Sequence, residues 1–171
     1  MTKHLFLAAA AVLALAACQP VQQQPQLGPD GNPIPVAYRI TPRDQVEIPN
    51  RILTEINLLR AQSGLSPVVL SPALAAASTA HARDMAAQNR AWHFGSDGSS
   101  PLDRAARFGY TGRLIGENIS ETYENEIATL SAWMQTRDTR DVIMDPSALE
   151  IGIGWLQEPS NKIWWVLNVG G

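Results

Sequence analysis

Apolar residues fall along this chain in three different ways, and each way predicts a different kind of segment. From Leu5 to Ala17 they form an unbroken run, LFLAAAAVLALAA. From Cys18 to about position 45 large apolar side chains are scarce among glutamine and proline. From Val46 onward they recur with the periods of regular structure. Ile52, Ile56 and Leu59 stand at i, i+4 and i+7, with Arg51, Glu55 and Arg60 on the side left for water, which predicts an amphipathic helix. Gly64 and then Pro67 supply its stop. A second helix is predicted from Ser71, a capping residue followed by Pro72, to about Arg90, with Leu74, Ala77, His81 and Met85 on one stripe. A loop rich in glycine and serine follows. Pro101 to Phe108 then suits a short helix closed by Gly109. Ile115 to Tyr123 alternates as a strand does, and Glu126 to Arg137 returns to helical spacing, with one more turn over Asp138 to Met144. The runs Ile151 to Leu156 and Ile163 to Leu167, separated by QEPSNK, predict an antiparallel pair. Helices followed by a few strands give an α+β domain with helices packed on a small sheet.

The N-terminal run changes the picture from a plain globular chain to an exported one. Lys3 and His4 precede it, it is shorter than the roughly 20 residues of a membrane-spanning helix, and it ends in small residues. Residues 1–17 therefore read as a secretory signal peptide. The sequence Leu15-Ala16-Ala17-Cys18 resembles a bacterial lipobox, which implies lipid on Cys18, the only cysteine of the chain. Gln19 in the next position favours the outer membrane, with the protein facing the periplasm. Residues 18–45 lack the apolar surface needed to offset their ordering entropy and read as a tether, so the folded domain is expected over 46–171. Of 13 basic residues only Lys3 lies in the signal, which leaves 12 against 16 acidic ones. That balance argues against nucleic acid and against a polybasic membrane face, so membrane contact is expected through the lipid alone.

Candidate chemistry centres on the histidines. His81, among Leu, Ala and Met on a helical stripe, reads as a core residue with a structural hydrogen bond. His93 stands in a loop between Trp92 and Phe94 and beside Ser96, Ser99 and Ser100. A hydrolytic reading takes one of those serines as nucleophile and His93 as base. Turn chemistry and a helix cap at Ser100 explain the same serines without catalysis, and neither a GxSxG elbow nor an HExxH zinc helix is present. Trp155, Trp164 and Trp165 either line a ligand site or fill the core; adjacent strand residues point to opposite faces, which suits the core of a layered fold. Glu121, Glu124 and Glu126 beside Tyr123 are either a protein contact of an envelope scaffold or solvated surface.

Five segments in order resemble the bacterial branch of the CAP superfamily, the SCP-like or pathogenesis-related-1-like domain. They are EINLLRAQSGLSPV, LAAASTAHARDMA, HFGSDGSSPLDRAARFGYTG, GENI with AWMQTRD, and EIGIG. The resemblance implies an α-β-α sandwich, a small antiparallel sheet between helical layers. It also implies a cavity over the sheet that in many members holds two histidines and two acidic residues, and in some a zinc ion. His93 and Glu117 match the first histidine and the first glutamate; Thr136 and Thr139 stand where the other two belong. Zinc needs three or four protein ligands, so no cofactor is expected. A His93–Glu117 pair, in which the carboxylate fixes the imidazole tautomer and favours its charged form, is expected instead. It serves either as a tie between loop and sheet or as the polar end of a ligand cleft. The expected function is a non-catalytic binding module for an unknown lipid, glycan or protein ligand, held at the membrane by lipid on Cys18.

Overall fold

A computed structural model describes residues 37–171. Cys18, the signal and most of the tether lie outside the described residues. The helices are α1 (Pro42–Gln62), α2 (Pro72–Gln88), α3 (Pro101–Arg107), α4 (Glu126–Gln135) and α5 (Arg137–Ile143). The strands are β1 (Val69–Leu70), β2 (Leu114–Thr122), β3 (Glu150–Gln157) and β4 (Ile163–Gly170). They form one sheet in the order β1-β3-β4-β2. β4 is antiparallel to both of its neighbours, and the two-residue β1 pairs parallel to the start of β3. The fold class is thus the α+β one expected, with a short parallel edge that the sequence pattern did not reveal.

The centre of the sheet is β4, and its eight residues are all buried. Alternation divides them. Ile163, Trp165, Leu167 and Val169 pack with Ile48, Ile52 and Ile56 of α1 and with Leu130 and Trp133 of α4. Trp164 and Val166 point to the other face, against Ala82 and Met85 of α2. The adjacent tryptophans therefore serve two different cores, and both are fully buried. Trp155 is half-buried and packs on Trp165 with ring centroids 5.8 Å apart. Trp164 and Trp165 are core residues, and Trp155 packs on that core while also lining a surface cavity with Thr79 and Arg83 of α2.

Two boundaries and one burial differ from expectation. α1 begins at Pro42, inside the stretch read as tether, because Thr41 and Asp44 form a reciprocal capping box there. Tyr38 and Ile40 pack on the core ahead of it. The Gln157 side-chain amide holds this entering segment as a neighbouring strand would, donating to the Tyr38 carbonyl at 2.6 Å and accepting from the Ile40 N–H at 2.9 Å. Arg60, expected to face water, is fully buried. Its guanidinium donates to the carbonyls of Ser66, Ile143, Asp145 and Ala148, so one side chain ties the end of α1 to the turn between α5 and β3.

α2 lies on the sheet at a distance set by Gly152 and Gly154. A Cβ at Gly154 would stand 2.1 Å from the Thr79 backbone nitrogen, and one at Gly152 would stand 2.2 Å from that of Ala75. Ser78 donates to the Gly152 carbonyl at 2.8 Å and accepts from Asn168 at 2.8 Å, so helix and sheet are also hydrogen-bonded. Backbone cannot move aside as a side-chain tip can. Gly154→Ala is expected to lower stability by about 2–3 kcal/mol, in the range of overpacked cores. Urea unfolding followed by tryptophan fluorescence checks this; a loss under about 0.5 kcal/mol means that α2 can shift freely.

Candidate functional site

The site is built around one carboxylate. Glu117 faces the same side of the sheet as Asn168, its partner in register, and its side chain is 1% exposed. A buried carboxylate is costly unless paired and hydrogen-bonded. Arg104 of α3 supplies the pairing, with Nη2 at 3.0 Å from Oε1 and 2.9 Å from Oε2. The same guanidinium donates through Nη1 to the Ser99 carbonyl at 2.9 Å. His93 is the second partner, with Nδ1 at 3.0 Å from Oε1. A carboxylate accepts, so Nδ1 carries the proton and Nε2 is the free nitrogen of a ring that is half exposed. His93 and Glu117 are thus brought together, and the cation that neutralises the carboxylate is Arg104. Sequence reading missed Arg104. Arginines stand at both 104 and 107 of one short helix, and spacing alone does not say which of them turns inward.

His81 stands behind this pair, fully buried, with Nε2 at 3.7 Å from Glu117 Oε1. Its real partner is the Trp92 carbonyl at 2.9 Å, to which Nε2–H donates. Burial pushes the imidazole below its ordinary pKa; Glu117 opposes that shift and Arg104 adds to it. Neutral His81 thus holds the loop at Trp92, one residue before the point where Glu117 holds it at His93. The structural hydrogen bond expected of His81 is present.

The rest of the loop is held from α2 as well. Asp84 accepts from the Ser96 N–H at 2.7 Å and from its hydroxyl at 2.6 Å, and Gln88 accepts from the Trp92 indole at 3.0 Å. Ser100 caps α3, its hydroxyl donating to Asp103 at 2.6 Å. Ser99 is buried and donates its backbone N–H to Asp97. Among the described residues none of the three serine hydroxyls bonds His93, so no nucleophile–base contact is formed. Glu126, grouped with the acidic surface, is 3% exposed and pairs with Arg51 inside the α1–α4 contact.

A cleft of about 450 Å³ opens beside His93. Pro101, Leu102, Leu114 and Val142 give it an apolar lining, and Asp138 and Thr139 enter from α5. The Thr139 hydroxyl turns back onto the preceding helix, α4, and donates to the Trp133 carbonyl at 2.6 Å. Thr136 sits exposed at the junction of α4 and α5. Among the described residues no group of three or more His, Cys, Asp or Glu is placed to hold a metal ion. With Arg104 on both oxygens of Glu117 and hydroxyls at 136 and 139, this donor set does not fit a divalent cation.

Residues 53–169 match the family model of CAP, the cysteine-rich secretory protein family. The chain belongs to this family. It does so with one cysteine, outside the matched residues, so its CAP domain has no disulfide of its own. The chain is 28% identical over 120 residues to the protein YkwD of Bacillus subtilis, covering 70% of this chain and 46% of that one. It therefore spans under half the length of that relative. Among solved structures it resembles an outer surface protein from Borrelia burgdorferi, with a TM-score of 0.67 at 17% identity, over 79% of this chain and 98% of that one. It also resembles an extracellular protein containing an SCP domain from Bacillus anthracis, with a TM-score of 0.65 at 21% identity, over 78% and 44% of the two chains. These likenesses show the CAP fold. Among the described residues no helix is long and apolar enough to cross a membrane.

Two outcomes follow from the site. Arg104→Met leaves Glu117 buried without its cation and is expected to cost about 3–5 kcal/mol, whereas His93→Ala, at a half-exposed ring, costs under about 1 kcal/mol; chemical denaturation of both variants measures the difference. The second concerns pH. His81 has its folded pKa below the unfolded value of about 6.5, so the unfolded chain binds the extra proton. Its contribution is complete above that value and is lost as pH falls toward the folded pKa. Stability measured from pH 7.5 to 5.5 is expected to fall less steeply in His81→Asn than in the native chain, and parallel curves would contradict the assignment.

Proposed function

We propose that this CAP protein is a lipid-anchored, extracytoplasmic binding module whose ligand enters the cleft beside His93. The observation that carries the reading is the division of labour at His93. Nδ1–H is committed to Glu117, which is neutralised by Arg104, while Nε2 stays available beside an apolar cleft. A few placed polar groups in a mostly apolar concavity is the usual make-up of a ligand site. The volume of about 450 Å³ lies within the range of such sites. Leu102, 60% exposed, extends the apolar surface toward solvent. The serines serve the loop and the cap, which supports binding over hydrolysis. The donor set supports action without zinc. Anchorage rests on the lipobox-like sequence ending at Cys18, and the outer-membrane, periplasm-facing location rests on Gln19; relatives named as an outer surface protein and an extracellular protein agree with export.

One experiment tests both halves. The native chain is expressed with labelled palmitate, purified from membranes and extracted for mass spectrometry, beside Cys18→Ala and His93→Ala. Label on the native chain and on His93→Ala, and none on Cys18→Ala, is expected. A copurified small molecule or peptide retained by the native chain and reduced at least fivefold in His93→Ala is expected from the cleft. An extract identical for native and His93→Ala proteins would count against the cleft as a ligand site. Turnover of ester or peptide substrates abolished by His93→Ala would replace the binding reading with a hydrolytic one.

A further inference from the structure

We infer that the occupant of this cleft is an extended peptide that adds to the free edge of β2, an inference that rests on the cleft being a ligand site. β2 ends the sheet: β4 pairs it on one side and, among the described residues, no strand pairs it on the other. Unpaired strand edges carry main-chain donors and acceptors that another strand can complete. Here that edge is the floor of the cleft. Gly116, Glu117 and Asn118 line it, with the loop and α3 on one side and α5 on the other.

The exposure of Glu117 shows which atoms face the opening. The whole residue is 8% exposed while its side chain is 1% exposed, so what shows is main chain. Among the described residues no side chain and no loop backbone bonds the main chain of Gly116, Glu117 or Asn118 from outside the sheet. Further along, the edge is closed. The Trp133 indole donates to the Ile119 carbonyl at 3.2 Å, and the Asn118 side chain reaches across to the Thr139 carbonyl at 2.8 Å. In an antiparallel edge strand only alternate residues turn their main-chain groups outward. The outward carbonyl of Ile119 puts Glu117 in that set and leaves Gly116 and Asn118 paired with β4. The open edge thus offers the N–H and C=O of Glu117 within a stretch of about three residues, roughly 10 Å at the rise of a strand. That suits a short extended segment, whose own C=O and N–H meet the pair at a strand's spacing, and an acyl chain would leave the donor and acceptor unmet.

The two walls differ in chemistry, and a strand presents alternate side chains to them. On the Glu117 face stand Pro101, Leu102 and His93. On the Gly116 face stands Val142, whose methyl would lie 2.7 Å from a Cβ at 116, and beside it Asp138. Asp138 is exposed and has no ion pair among the described residues. The charge on the first wall is already cancelled by Arg104, so Asp138 is the uncompensated one. The walls thus fit a peptide that alternates apolar residues with basic ones. This is strand addition with side-chain selection at both faces.

The test uses the full-length chain and a blocked hexapeptide, acetyl-(Val-Lys)₃-amide, by calorimetry. Two further peptides carry N-methyl groups, one at every valine and one at every lysine. They keep the side chains and each removes one edge of donors. The parent peptide is expected to bind, at least one methylated twin to bind tenfold or more weakly, and Asp138→Asn to weaken the parent several-fold. Leu102→Asp, at an exposed position that leaves the fold alone, is expected to weaken it as well. Both twins binding within threefold of the parent would overturn the inference, since the edge would then be unused. So would parent binding unchanged in both Asp138→Asn and Leu102→Asp. No peptide binding, together with a His93-dependent ligand recovered from membranes, would overturn strand addition and leave the cleft reading intact. No peptide binding and no His93-dependent ligand would remove both.

Discussion

The close approach of α2 to the sheet is the constraint on which the rest of this domain depends. Two glycines on one face of β3 let a helix backbone lie where any side chain would push it off. From that position α2 does three things at once. Ala82 and Met85 cover Trp164 and Val166, Ser78 bonds both β3 and β4, and His81, Asp84 and Gln88 reach past the sheet to hold the loop that carries His93. A helix one side chain farther away would leave those three residues short of the loop. The site owes its geometry to packing decided two strands away.

Charge balance at Glu117 is the second level of organisation. A single buried carboxylate draws in one residue from the loop and one from α3, and His81 of α2 stands just behind it. Arg104 carries the neutralising charge, which leaves His93 free to be a hydrogen-bonding group instead of an obligatory counter-ion. This differs from the pattern implied by family resemblance, in which acidic residues and histidines gather around a shared cation. Here an internal guanidinium occupies the carboxylate, and the two positions that would complete a metal shell are hydroxyls.

Periodicity made most of the fold legible. The stripes of α1 and α2, the β3–β4 pair and the alternation of β2 are local properties, and the structure has them. The opposed directions of Trp164 and Trp165 followed from strand geometry alone. What stayed hidden was the partner of each buried charge. Arg60 and Arg104 look like solvent-facing helix residues, because a long side chain can fold inward and no local spacing records whether carbonyls or a carboxylate await it. Glu126 was grouped with an exposed acidic patch for the same reason; its partner Arg51 lies 75 positions away. β1 escaped because two residues between prolines carry no period. At the site, His93 and Glu117 are legible from motif position, while Arg104, inside the same matched segment, is not one of the four cavity positions the resemblance implies.

The way the chain enters the domain has a mechanical meaning. Tyr38 and Ile40 are gripped by the Gln157 amide, and the Tyr38 N–H is bonded to the Tyr123 carbonyl at 2.9 Å. A pull along the N-terminal side of the chain meets these bonds before it meets α1. The load passes into the ends of β3 and β2, which are braced by the most buried strand of the sheet. The capping box at Thr41 and the helix behind it are shielded from tension. A domain fastened in this manner takes tension from the N-terminal side of Tyr38 in its sheet, and keeps it off the first turn of α1.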